Sequence, residues 1–197
     1  EISKHCKVAI GGDGADELFG GYPHYDKLLN IRNTSKFFPH YFRKIISSLI
    51  QSILPIGFKG KKTIEFYGAD FNSEYPNVSE FFSQQEQLKI FNQNFLKHLS
   101  AKYLGNLNPD IFDNFIETAT YNDFKKYLTE DILVKVDRAS MAHSLEIRSP
   151  FLDQRLIDFS FTSIPSHMKV TKNNRKIILK KLAKRHLPKN FDFQRKQ

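Results

Sequence analysis

A glycine-rich turn directly behind a short apolar run constrains this chain more than any other feature. Lys7-Val8-Ala9-Ile10 reads as a short buried strand, Gly11-Gly12-Asp13-Gly14 turns it, and the residues from Ala15 onward can start a helix. Glycines at such a turn let backbone amides approach a ligand, and a helix start offers unpaired N–H groups to an anion. Asp13, Asp16 and Glu17 crowd the same turn, at the i,i+3 and i,i+4 spacing of one helix face. Carboxylates so close repel one another unless a cation or a proton intervenes, and magnesium bridging to phosphate oxygens would supply the cation. The same residues equally fit a plain turn with an acidic helix start that satisfies the dipole. Local spacing does not choose between the two.

Beyond the turn the pattern is helical. Apolar periodicity predicts helices near 36–54, 78–91 and 92–103, punctuated by Pro39, Pro55 and Pro76. Asn108-Pro109-Asp110 reads as a turn with an N-cap before a helix over roughly 111–127. Thr129 reads as the cap of the next helix, with Glu130 and Asp131 in its first turn and Leu128, Ile132, Val136 and Ala139 along its inward face, as far as about Ser144. Pro150 pushes Ser149 towards extended geometry, and Phe151-Leu152-Asp153 leads into another helix. A last helix follows Asn173-Asn174, carries Ile178, Leu179, Leu182, Ala183 and His186 on one face, and ends at Pro188. Strands are scarce, so the chain reads as mostly helical with a sliver of sheet.

A chain of 197 residues with 40% hydrophobic and 26% charged side chains has the means to bury a core and is not a disordered composition. The net charge of +9 would attract phosphates, nucleic acid or an acidic membrane surface. The lysines are scattered, and the densest group, Lys59-Gly60-Lys61-Lys62, reads as a solvated loop rather than a nucleic-acid arm. No apolar run is long enough to span a membrane, so neither nucleic acid nor membrane is expected as a partner. A single cysteine, Cys6, excludes an intrachain disulfide framework, fits a reducing compartment and reads as a small core residue. Met141 and His143 lack partners at metal-ligand spacing and read as packing residues.

A second informative stretch runs from Tyr127 to Asp153. Asp137, Arg138, Glu146 and Arg148 alternate in sign there, which suits a buried ion network or a polar site; each alone reads as a structural salt bridge. Together with Gly11–Tyr22 and Leu187–Lys196, this stretch resembles the synthetase domain of glutamine-dependent asparagine synthetases. Gly11–Tyr22 is similar to the family's Ser-Gly-Asp-Gly-x-Asp-Glu-Leu-Phe-Gly-Gly-Tyr. Tyr127–Asp153 is similar to its Leu-x-Lys-x-Asp-Arg-x-Ser-Met-Ala-x-Ser-Leu-Glu-x-Arg-x-Pro-Phe-Leu-Asp. Gly11 departs from the family's usual serine, which weakens any role for a hydroxyl there.

The resemblance implies an α/β, Rossmann-like ATP-pyrophosphatase domain, of which residues 1–197 are the carboxy-terminal, mostly helical part. It implies ATP-dependent conversion of aspartate to asparagine through an aspartyl adenylate, with ammonia from an amino-terminal glutaminase domain. A relative that amidates or cyclises another carboxylate, or a non-catalytic basic binding module, is the alternative. By position, Asp16 is the Mg²⁺ and pyrophosphate ligand, with Glu17 as helix-terminal support. Gly11, Gly12 and Gly14 line the nucleotide turn, and Asp137 and Arg138 join the nucleotide side. Asp13 positions ammonia or takes its proton, Glu146 supports it, and Lys196 stabilises charge at the α-phosphate. The family's pyrophosphate loop, Ser-Gly-Gly-x-Asp-Ser, does not occur in this sequence and is expected upstream with the glutaminase domain; Cys6 is not the glutaminase nucleophile, because it sits inside the synthetase pattern. A cytoplasmic location and, as a candidate assembly, a homodimer complete the expectation.

Overall fold

The computed structural model describes residues 1–55, 57–71, 90–92, 94–95, 114–188 and 191. The expected helices at 78–91 and 92–103, the Asn108-Pro109-Asp110 turn and Lys196 lie wholly or mostly outside the described residues.

Two short strands, β1 (Val8–Ile10) and β2 (Glu146–Arg148), pair in parallel, with Val8 opposite Glu146, Ala9 opposite Ile147 and Ile10 opposite Arg148. Gly11 N–H donates to the Arg148 carbonyl at 2.8 Å and Glu146 N–H to the Lys7 carbonyl at 2.9 Å, so the ladder runs past both strand ends. The apolar run predicts a buried strand. Instead Val8 and Ile10 are exposed, and so is Cys6, because among the described residues β1 has a strand neighbour on one edge and no layer over its side chains.

Helices make up the rest. The first, α1 (Ala15–Phe19), is followed by α2 (Pro23–Ser35), which starts where Pro23 fixes the first helical φ after an extended Tyr22. Next come α3 (His40–Ile53) and α4 (Lys61–Gly68), packed against each other. Then α5 (Phe115–Asn122) begins at Asn114, whose side-chain oxygen accepts from Ile116 N–H at 2.9 Å.

The helical rod does not break at the end of α5. It continues as a π-helical stretch, Asp123–Ile132, into α6 (Leu133–Met141). Thr129 is therefore not a cap. Its hydroxyl donates backwards to the Lys125 carbonyl at 2.6 Å, which a helix-interior threonine can do and a capping one does not. Ser144, at φ 53, ends the rod, and Leu145 N–H reaches back to the Ser140 carbonyl at 3.1 Å, a left-handed stop that turns the chain into β2. The short α7 (Gln154–Thr162) is capped by Asp153, whose carboxylate accepts from Arg155 N–H at 2.9 Å; α8 (Ser166–Lys169) and α9 (Ile177–His186) complete the order.

The core forms two clusters, one built around α1 and one around α2. Leu18 and Phe19 pack with Ile164, joined by Phe151, Phe161, Ile178 and Leu179 from the carboxy-terminal helices. Tyr25, Leu28 and Ile31 of α2 pack with Phe66, Phe115, Ile116, Ala119 and Val170. Ser160 ties the first cluster to α1 by donating to the Leu18 carbonyl at 2.7 Å, both groups buried. Among the described residues no helix is long and apolar enough to cross a membrane.

Candidate active site

Parallel pairing of β1 with β2 carries the glycine turn to the end of the second motif. Asp13 and Ser149 are 136 residues apart in sequence, yet Ser149 Oγ donates to Asp13 Oδ2 at 3.2 Å. Gly14 makes the turn possible: its φ is 90°, and a Cβ there would lie 2.5 Å from Leu152 Cδ2. Gly11 sits on the ladder, and Gly12 is exposed with open space beside it.

The three clustered carboxylates do not share a single site. Asp13 turns towards Ser149. Asp16, about a third exposed, is held by Lys176, whose ammonium lies 2.7 Å from Oδ1. Glu17 turns inwards, is 1% exposed and accepts a hydrogen bond from the Tyr22 hydroxyl. Burial pushes the Glu17 carboxyl above its ordinary range, against the pull of the Tyr22 hydrogen bond, and the Tyr22 hydroxyl is pushed up by burial and by Glu17. The repulsion anticipated from the sequence is relieved by separation and by separate partners.

Space for the Asp16 and Lys176 pair exists because residue 21 is glycine. A Cβ at Gly21 would stand 1.6 Å from Asp16 Oδ1 and 2.2 Å from Lys176 Cε. Lys176 itself adopts left-handed geometry, φ 52 and ψ 39, at the start of α9. Its neighbour Arg175 donates to the Gly21 carbonyl at 3.1 Å and pairs with Asp26 at 3.3 Å. Two consecutive cations thus clamp the Asp16–Gly21 segment from the carboxy-terminal side. Neither stands out in the sequence, since no local spacing links Arg175 or Lys176 to residues so far upstream.

Among the described residues, Glu146, Asp137 and Arg138 make no hydrogen bond or ion pair with these carboxylates. Glu146 pairs with Arg148 at 2.8 Å, both exposed, and this contact raises the Arg148 pKa. Asp137 and Arg138 are exposed on α6 and make no ion pair among the described residues, so the alternating charges form no buried network. Below the turn, His24 Nε2 meets Asp123 Oδ2 at 2.8 Å and its ring stacks on Tyr22, which extends the Glu17 contact into an aromatic and polar layer beneath the site. Among the described residues no group of three or more His, Cys, Asp and Glu side chains could hold a metal ion by itself.

The two motifs that meet here fall within one known family. The family model described as asparagine synthase matches residues 1–197. The chain belongs to the asparagine synthase family. Asparagine synthetase (glutamine-hydrolyzing) 1 of Bacillus subtilis strain 168 is 32% identical over 200 residues, covering 96% of this chain and 30% of that protein. A putative glutamine-hydrolyzing asparagine synthetase of Mycobacterium bovis is 28% identical over 202 residues, with 95% of this chain and 28% of its own length covered. Asparagine synthetase (glutamine-hydrolyzing) 3 of B. subtilis is 26% identical over 211 residues, covering the whole of this chain and 26% of that protein. The chain spans less than a third of the length of these curated relatives. No solved structure matches it.

Proposed function

We propose that the protein uses ATP to turn the side-chain carboxylate of aspartate into an amide, and that residues 1–197 supply one wall of the active site in a Rossmann-like synthetase domain. The observation that carries this reading is the Asp13–Ser149 contact, which brings the ends of both family motifs to one edge of the parallel ladder. Family membership supports ATP as the activating substrate, and the names of the relatives support glutamine as the source of ammonia.

A carboxylate is a poor electrophile, since its charge repels a nucleophile and oxide is not a viable leaving group. In the proposed reaction an aspartate oxygen attacks the α-phosphorus, pyrophosphate departs, and ammonia then displaces AMP from the acyl carbon. Asp16 fits a magnesium ligand by its chemistry: a hard oxygen donor, partly exposed, of the kind that holds Mg²⁺ together with phosphate oxygens. When bound, the ion would draw charge from the departing pyrophosphate. Lys176 neutralises Asp16 and orients it, and Arg175 fixes the turn on which it stands. Asp13, with Ser149 donating to one oxygen, keeps the other free to orient ammonia or accept its proton. Lys196, outside the described residues, remains the proposed cation at the α-phosphate. Glu17 supports the turn from the core side, while Glu146, Asp137 and Arg138 stand at the exposed edge.

The test uses the full natural polypeptide and counts AMP and asparagine together, with aspartate against a panel of other carboxylates. Asp16→Asn removes charge at nearly constant volume and should slow AMP release by about 10² to 10³-fold. Asp13→Asn should spare AMP release and lower the ratio of asparagine to AMP. Wild-type rates and ratio in both variants would remove these carboxylates from the mechanism, and a faster reaction with another carboxylate would reassign the acceptor.

A further inference from the structure

Helix α3 is packed with its polar side inwards. Tyr41, Phe42, Ile45, Ile46, Leu49 and Ile53 recur along one face, and all are exposed, Tyr41 to 70% and Ile53 to 80%. The opposite side meets α4 through polar groups. Ser47 donates to the Ile64 carbonyl at 2.8 Å, Arg43 donates to the carbonyls of Tyr67 and Ala69 at 2.6 and 3.1 Å, and Gln51 donates to Ser47 at 2.8 Å. Just before the helix, Phe37 and Phe38 are 83% and 67% exposed. Eight apolar side chains, each baring on the order of 100 Å², make a face larger than the roughly 300–600 Å² patch of an ordinary monomer.

Charge identifies what fits this face. From Lys27 to Ile64 the sequence contains no Asp or Glu, and Lys36, Lys44 and Lys59 are exposed on α3 and the segments around it. Two copies meeting through this region would bring like charges together, whereas an anionic surface complements it. A helix of 14 residues is about 21 Å long, too short to cross a hydrocarbon core of about 30 Å, so it must lie flat. Arg43 and Ser47 on its inner side are already hydrogen-bonded to carbonyls of α4 and of Ala69 just beyond it, so sinking the apolar face does not strand these two polar groups.

We propose that α3 and its flanks seat the protein on an anionic lipid surface, with the apolar face among the upper acyl segments and the lysines at headgroup phosphates. A membrane partner is not expected from the sequence, because scattered lysines and short apolar runs read as solvated until the helix is seen to turn its apolar side outwards.

Co-sedimentation of the full natural polypeptide with vesicles tests the proposal, using phosphatidylcholine with phosphatidylglycerol against phosphatidylcholine alone. Binding should require phosphatidylglycerol and fall as salt is added. Lys44→Glu with Lys59→Glu should weaken it by about tenfold or more, and Phe42→Ser with Ile46→Ser should abolish it. Both double variants should keep the wild-type melting temperature and AMP release, since these side chains are exposed and away from the carboxylate turn. Equal binding to neutral vesicles would overturn the anionic assignment. Absence of vesicle binding would overturn the proposal itself. A doubled mass in sedimentation velocity would then place a second copy on the face, and a single-copy mass would mean the protein covers it from within.

Discussion

At the scale of single residues, the buried polar groups make the clearest demands. The Tyr22 hydroxyl donates to the Glu17 carboxylate, and Glu17 is 1% exposed. Tyr22→Phe should therefore cost about 1–3 kcal/mol in a denaturant melt, the penalty of leaving a buried acceptor unsatisfied. Lys169 is a second case. It is fully buried, its ammonium lies 4.7 Å from the centre of the Phe161 ring and has no hydrogen-bond partner among the described residues, and burial pulls its pKa down to about 8. An unfolded lysine titrates near 10, so between about pH 8 and 10 the unfolded chain binds more protons than the folded one, and Lys169 makes stability rise with pH. Below that window both states are charged and the burial cost is felt in full. Lys169→Met should add about 1–3 kcal/mol at pH 7 and flatten the rise between pH 8 and 10, as read from urea melts at several pH values. An unchanged pH profile would place the ammonium in water.

At the scale of elements, the sequence is most informative where local chemistry decides the outcome. The strand, glycine turn and short helix at the start, the helix that follows Phe151-Leu152-Asp153 and the stop of α9 before Pro188 are all legible, because each depends on neighbours in the chain. Thr129 misleads for the same reason. A hydroxyl that can cap can also bond backwards inside a continuous helix, and only the packing of the whole rod chooses. The inward face also shifts: Leu128 is 1% exposed, whereas Val136 is half-buried and α6 contributes no fully buried residue. Leu128→Ala should accordingly cost about 2–4 kcal/mol and Val136→Ala about 1 kcal/mol or less, compared by thermal unfolding. The Asp16–Lys176 clamp is not legible at all, since it joins ends of the chain that no periodicity relates. Gly21→Ala should break that clamp by driving a Cβ into it, lowering activity in the full polypeptide more than melting temperature.

For the whole molecule, the proposed phosphate site can be tested on this segment alone. The family's pyrophosphate loop does not occur in this sequence, and the carboxylates of the glycine turn face separate partners rather than one ligand. Residues 1–197 alone should therefore bind ATP weakly and form no asparagine, a prediction that isothermal titration and an AMP assay check together. Micromolar binding by this segment would show that the site is complete within it. The pairing of β1 with β2 also sets a clock on biosynthesis. The first strand leaves the ribosome long before the second exists, and the Asp13–Ser149 contact closes a span of 136 residues. At about 5–20 residues per second the glycine turn waits roughly 7 to 27 s for its partner, with the backbone edge of β1 that will meet β2 unpaired throughout. Slower synthesis between the two motifs lengthens the time for which that open strand edge is exposed to mispairing before the ladder can close.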